Sequence, residues 1–120
     1  MKDIQLGEIE SRFADIIWNS EPISSTALVK VSEAELGWKK STTYTVLRRL
    51  CDKGIFQNEG GTVTSLISKE DYCAIQSERV VNDVFGGSLP AFLAAFSGRV
   101  KLKGETIEEL KRMIDEFKEE

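Results

Sequence analysis

Residues 38–54 read WKKSTTYTVLRRLCDKG, and this segment predicts one short amphipathic helix. The residues that would face a core recur at helical spacing: Thr43, Val46, Leu47 and Leu50. The opposite side carries hydroxyl and guanidinium groups: Ser41, Thr42, Tyr44, Thr45, Arg48 and Arg49. Gly54 supplies a stop just past the last turn, and Lys53 lies near the negative end of the helix dipole.

The same segment is locally basic within an acidic chain. From Lys39 to Lys53 there are five basic residues and one acid, Asp52, whereas the whole chain has a net charge of −4. Because salt screens charge beyond about 10 Å, the local balance decides what this surface attracts. A basic, hydroxyl-rich helix indicates an anionic partner, and double-stranded DNA is the leading candidate.

The composition limits the classes of protein that this chain could belong to. A length of 120 residues fits one domain, or a small domain with an assembly element. The chain has two cysteines and no histidine, which excludes the usual zinc spacings and histidine-based acid–base catalysis. We find no nucleophile beside a base and no phosphate-binding glycine loop. We therefore predict no enzyme activity, no catalytic residues, no metal and no cofactor.

The distribution of apolar residues predicts a soluble, cytoplasmic protein without a membrane partner. No apolar run follows the single early lysine, Lys2, so no signal peptide is expected. No window approaches the roughly 20 apolar residues that a membrane span requires.

Two shorter helices are predicted before the basic segment. Residues 1–6 are expected to be a disordered lead, and a helix over residues 8–18 would turn its apolar side inward: Ile9, Phe13, Ile16 and Ile17. Pro22 ends this helix, and Ser24-Ser25 is a capping signature for a second helix over residues 26–34. Three short helices with tight connections are typical of a helix-turn-helix unit.

A β-hairpin is predicted after Gly54. Residues 55–59 and 62–67 are strand-like, and Gly60-Gly61 lies where a primed turn requires positive φ. Helices followed by one hairpin predict a winged helix-turn-helix domain over residues 1–68.

Residues 69–120 are predicted to form three further helices. The first is capped by Ser68 and runs to Phe85, the second is short and ends at Ser97-Gly98, and the last covers residues 105–118. They carry more apolar side chains than one chain is expected to bury, which predicts a dimerisation region: Phe85, Leu89, Phe92, Leu93, Phe96, Ile107, Leu110 and Ile114. The alternative is that these side chains pack on the winged helix of their own chain. The predicted fold class is thus mainly α with a small β-hairpin wing, followed by a helical dimerisation region.

Over nearly its full length the chain resembles the penicillinase-repressor family of bacterial winged-helix regulators (the BlaI/MecI/CopY type). The matching features are Glu10 with Ile16-Ile17-Trp18, Trp38, the segment Thr42-x-x-Thr45-x-Leu47-x-Arg49-Leu50-x-x-Lys53-Gly54, and Phe85-Gly-Gly-Ser-Leu-Pro90. The resemblance implies a transcriptional repressor that binds a dyad-symmetric DNA operator as a homodimer, with the third helix of each copy in the major groove.

The resemblance also implies roles for single residues. Ser41, Thr42 and Thr45 would contact bases or phosphates. Arg49 would hold a phosphate or brace the helix, and Lys53 would hold a phosphate. Periodicity alone adds Tyr44 and Arg48 to this face, and the lysines just upstream complete the predicted set: Lys39 and Lys40.

This chain departs from the family pattern in the wing and in the regulatory half. Thr62 and Leu66 stand where the family commonly has an arginine and an aromatic residue, and Glu59 lies at the wing tip, so the wing should add little to phosphate binding. Penicillinase repressors are inactivated by cleavage of an Asn-Phe bond, which makes a regulatory protease a further candidate partner. The aligned pair here is Ala95-Phe96, and no cysteine cluster ends the chain, so the sequence assigns no inducer.

Other interpretations remain open at this stage. The basic helix could bind an acidic protein, because winged helices also act as protein-interaction modules. The apolar C-terminal half could hold a small ligand, although no convergent polar groups support this. Trp18 and Trp38 are expected to pack between helices, and Cys51 and Cys73 are expected to be small buried apolar residues.

Overall fold

The computed structural model describes residues 4–119 and confirms the predicted fold class. The elements follow in the order α1 (Glu8–Ser20), β1 (Ile23–Ser24), α2 (Ser25–Leu36), α3 (Lys40–Asp52), β2 (Phe56–Glu59), β3 (Thr62–Ser65), α4 (Lys69–Phe85), α5 (Leu89–Arg99) and α6 (Gly104–Glu116). Two compact units divide after Gln76, inside α4. The functional boundary predicted at Ser68 stays a prediction.

The core of the first unit is built by α1, α2, α3 and the small sheet. Its largest fully enclosed apolar side chains are Phe13, Ile17, Leu28, Leu50, Ile55, Phe56 and Val63. The four residues predicted to form the inner face of α3 are all buried, which confirms the period assigned to that segment: Thr43, Val46, Leu47 and Leu50. The prediction for Ile9 is wrong, because this side chain is 48% exposed in the first turn of α1.

The sheet has three strands rather than the two of the predicted hairpin. Its order is β1-β3-β2, all antiparallel, and Ile23 pairs with Val63. The wing turn is formed as predicted, since Gly60 and Gly61 have φ of 58° and 88°. The capping role of Ser24 is confirmed by its Oγ, which accepts a hydrogen bond from the Ala27 N–H at 3.1 Å.

The segment before α1 is ordered where the structure describes it. Leu6 is only 9% exposed and belongs to the core, and Ile4 packs against that core. The Leu6 N–H donates to the Tyr72 hydroxyl at 3.1 Å. The predicted disordered lead is therefore wrong for residues 4–6, and residues 1–3 lie outside the described part of the chain.

In the second unit, helix α5 is longer than predicted. It continues through Ser97-Gly98 to Arg99, because the Ser97 hydroxyl donates to the Ala94 carbonyl at 3.1 Å and the Val100 N–H donates to the Phe96 carbonyl at 2.9 Å. None of the described residues in this unit is buried. Within residues 4–119, no single helix is long and apolar enough to cross a membrane.

Glu21 joins the end of α1 to the sheet. Its carboxylate accepts from the Ser65 N–H at 2.9 Å and from the Ser65 hydroxyl at 2.8 Å. A hydrogen bond to a charged group contributes about 1.5–3 kcal/mol. Because Glu21→Ala removes two such bonds at a part-buried site, the free energy of unfolding should fall by about 3 kcal/mol, the low end of their sum. Urea unfolding measures this, with the exposed Glu33→Ala as the control. Equal midpoints for the two variants would contradict the assigned role of Glu21.

Candidate nucleic-acid interface

Seven of the predicted DNA-binding residues are exposed on α3 and just before it. They are Lys39, Lys40, Ser41, Thr42, Thr45, Arg48 and Arg49. Most of them lie in the first turns of α3, where unpaired backbone N–H groups and the helix dipole favour an anion. This end of the helix therefore combines positive charge, hydroxyl groups and exposure.

Backbone contacts within α3 orient its threonines differently. Thr43 is buried, and its hydroxyl lies 3.4 Å from the Lys39 carbonyl that it donates to. Thr45 is exposed, and its hydroxyl donates to the Ser41 carbonyl at 2.9 Å. Because the Thr45 hydroxyl donates its proton inside the helix, its oxygen lone pairs are left to accept a hydrogen bond. Thr45 is thus prepared to receive a hydrogen bond from a ligand.

Tyr44 connects the two helices of the helix-turn-helix. Its ring packs against the core, and its hydroxyl donates to Ser25 Oγ at the start of α2, at 3.3 Å. These contacts fix where the first turns of α3 lie relative to α2. The structure thus gives Tyr44 a bracing position, while its contact with DNA stays a prediction. Ser25 was not singled out from the sequence, because a cap signature does not indicate a tertiary contact.

The last turn of α3 is tied to the start of α1. Arg49 Nη1 lies 3.4 Å from Glu10 Oε2, and Lys53 Nζ lies 3.9 Å from Glu10 Oε1. Lys53 Nζ also donates to the Gln5 carbonyl at 2.9 Å. Of the two roles predicted for Arg49, bracing is the one that these contacts support. The phosphate contacts of Arg49 and Lys53 stay predictions.

The wing adds no positive charge to this surface. From Phe56 to Ser65 the only charged side chain is that of Glu59. A shallow hollow separates α3 from β2, lined by Tyr44, Leu47, Arg48, Cys51 and Asn58. Asn58 was not predicted as a site residue. Its place beside Arg48 depends on how the hairpin folds back on α3, which the sequence pattern does not give.

The tryptophans behave as expected, and the cysteines only in part. Trp38 packs on Phe13 with ring centroids 5.0 Å apart, and Trp18 donates from Nε1 to the Ile67 carbonyl at 3.0 Å. Cys51 is half-buried, and burial, with a smaller effect of Asp52, raises the pKa of its thiol. Cys73 is exposed, so its predicted burial is wrong: α4 has no buried residue to share a core with it.

The predicted dimerisation residues are half-buried or exposed in the single chain. None of the eight is buried, and Leu89, Phe96 and Ile114 are 50%, 44% and 58% exposed. Phe92 contacts Phe85 edge-to-face at 5.5 Å and stacks on Phe96 at 6.1 Å. The second unit therefore presents an apolar cluster without a buried core around it.

Comparisons with known proteins found a matching family, a similar repressor and a similar solved structure bound to DNA. A family model described as penicillinase repressor matches residues 6–116. The penicillinase repressor of Bacillus licheniformis is 29% identical over 123 residues, which are 98% of this chain and 96% of that protein. A similar solved structure is the solution structure of the Bacillus licheniformis BlaI monomeric form in complex with the blaP half-operator. It is 30% identical with a TM-score of 0.50, and the match covers 60% of this chain and 94% of that chain.

Proposed function

We propose a function for this chain, which belongs to the penicillinase repressor family. It is a DNA-binding transcriptional repressor, and it binds a dyad-symmetric operator as a homodimer. The observation that carries the proposal is the exposed, basic, hydroxyl-rich face of α3 on a helix-turn-helix. The related solved structure with a half-operator supports the same ligand class.

In this proposal, the first turns of α3 enter the major groove. Ser41, Thr42 and Thr45 lie on the exposed side and contact base edges or nearby phosphates. Lys39 and Lys40 bind phosphates at the entrance of the helix, where the dipole adds to their charge. Phosphate contacts position the helix, and the contacts with base edges give sequence specificity.

A second copy of the chain would cover the apolar cluster of the second unit. Apolar side chains that remain half-exposed in one chain gain about 25 cal/mol for each Å² that a partner buries. We therefore assign dimerisation to residues 69–120 and DNA binding to residues 1–68. Two copies related by a dyad would place two α3 helices on half-sites about one helical turn apart.

The proposed regulator acts in the cytoplasm, where bacterial DNA is found, and it has no catalytic step of its own. Its release from DNA could involve a protease, as the family resemblance implies. The aligned bond, Ala95-Phe96, lies within α5, and both residues are exposed. A protease would have to open this helix locally before cleaving the bond.

Selection of bound sequences from random duplex DNA by the purified protein tests the proposed function. At near-physiological salt we expect enrichment of a palindrome whose half-sites are about one helical turn apart. Binding to that sequence should weaken steeply with salt, because each neutralised phosphate contributes about −0.9 to the logarithmic slope. No enrichment from a protein that is dimeric in solution would contradict the proposal and favour an acidic protein partner.

Phe92→Asp tests the dimerisation region. A carboxylate among the phenyl rings of Phe85 and Phe96 cannot be buried without a partner charge. We expect monomers at micromolar concentration and at least a tenfold loss of operator affinity, since one half-site contributes fewer contacts. Sedimentation measures the first and a DNA-binding titration the second. Ser20→Asp, exposed on α1, is the charge-matched control. A Phe92→Asp protein that remains dimeric would contradict this placement.

A further inference from the structure

Glu10 is the centre of a polar cluster at the junction of α1, α3 and the segment before α1. Its Oε1 accepts from the Gly7 N–H at 3.2 Å, and the same oxygen lies 3.9 Å from Lys53 Nζ. Its Oε2 lies 3.4 Å from Arg49 Nη1. One carboxylate therefore holds two of the five basic residues between positions 39 and 53.

The burial of these groups is unequal. The Glu10 side chain is 19% exposed and that of Lys53 is 24% exposed, whereas the Arg49 side chain is 55% exposed. Lys53 is also held by the Gln5 carbonyl at 2.9 Å. Glu10 is thus the fixed member of the cluster, anchored by its own backbone contact with Gly7. Arg49 is the member that can leave it for another anion.

If the Arg49 and Lys53 side chains were released from Glu10, they would change the affinity for DNA. Lysine and arginine bind phosphates of any sequence, and this contribution supplies essentially all of non-specific affinity. The residues on α3 that can reach base edges lie in its first turns, away from Arg49 and Lys53 at its last turn. A cation released at the last turn would therefore increase binding to all DNA and add no sequence discrimination.

We infer that Glu10 is a positioning residue, which holds Arg49 and Lys53 on the α1 side of the recognition helix and so limits the sequence-independent part of DNA affinity. This inference rests on the proposed DNA-binding function. Exposed ion pairs contribute little to folding stability, so stability alone gives Glu10 a small role in this cluster. Its effect on DNA affinity is separable from its effect on the fold.

Glu10→Gln is the test, with Glu8→Gln as the matched control. Both variants remove one negative charge from the first turn of α1, but Glu8 is exposed, whereas Glu10 contacts the two cations. Affinity is measured for the selected operator and for a scrambled duplex of the same length and composition. For Glu10→Gln we expect the affinity for both duplexes to rise about three- to fivefold, the effect of one weak ion pair, while the ratio of the two affinities stays the same. Glu8→Gln should leave both affinities nearly unchanged.

Two further measurements distinguish positioning from folding and from simple charge. The thermal midpoints of Glu10→Gln and Glu8→Gln should agree closely. If Glu10→Gln does not fold, Glu10→Asp takes its place. The aspartate keeps the charge but withdraws the carboxylate by one methylene, so its affinity for both duplexes should also rise. Wild-type affinities for Glu10→Asp would overturn the positioning role, as would equal affinities for Glu10→Gln and Glu8→Gln.

The same titrations separate this inference from the proposed function. A wild type that discriminates between the duplexes, with unchanged affinities for both in the Glu10 variants, overturns the role of Glu10 alone. A wild type that binds both duplexes equally overturns operator recognition, and one that binds neither overturns the role of Glu10 as well.

Discussion

The burial of one face of α3 is the constraint on which the rest of the first unit depends. Leu50 is fully enclosed and Leu47 is 2% exposed, and full burial of a leucine contributes about 1.5–3 kcal/mol. Because helical periodicity is fixed, seating these side chains in the core leaves the hydroxyl and basic groups of α3 facing water. The chemistry of the outer face is thus positioned by the packing of the inner one.

Much of the fold could be predicted because it depends on local patterns. The apolar period of α3, the diglycine turn of the wing and the serine caps are each encoded within a few residues. The features that were not predicted depend on contacts between distant residues. A two-residue strand such as β1 has no alternation to detect, and Leu6 contacts Tyr72, which lies 66 residues away along the chain.

The candidate site shows the same difference between local patterns, which could be predicted, and contacts between distant residues, which could not. Exposure of Ser41, Thr42 and Thr45 followed from the helical period. The partner of Arg49 did not, because Glu10 lies 39 residues away along the chain. Cys73 was assigned to a core from its residue type, but it is exposed, and α4 contacts the core of the first unit through Tyr72. Residue type predicts burial only where a neighbouring element supplies the other half of the contact.

We propose that the first turns of α3 form the DNA-contacting surface. The most direct measurement is the change in amide chemical shifts of isotope-labelled protein on addition of a selected half-operator duplex. We expect the largest changes in residues 39–48, with small changes at the wing tip around Glu59 and in residues 77–119. The largest changes at the wing tip, or in the second unit, would contradict this placement.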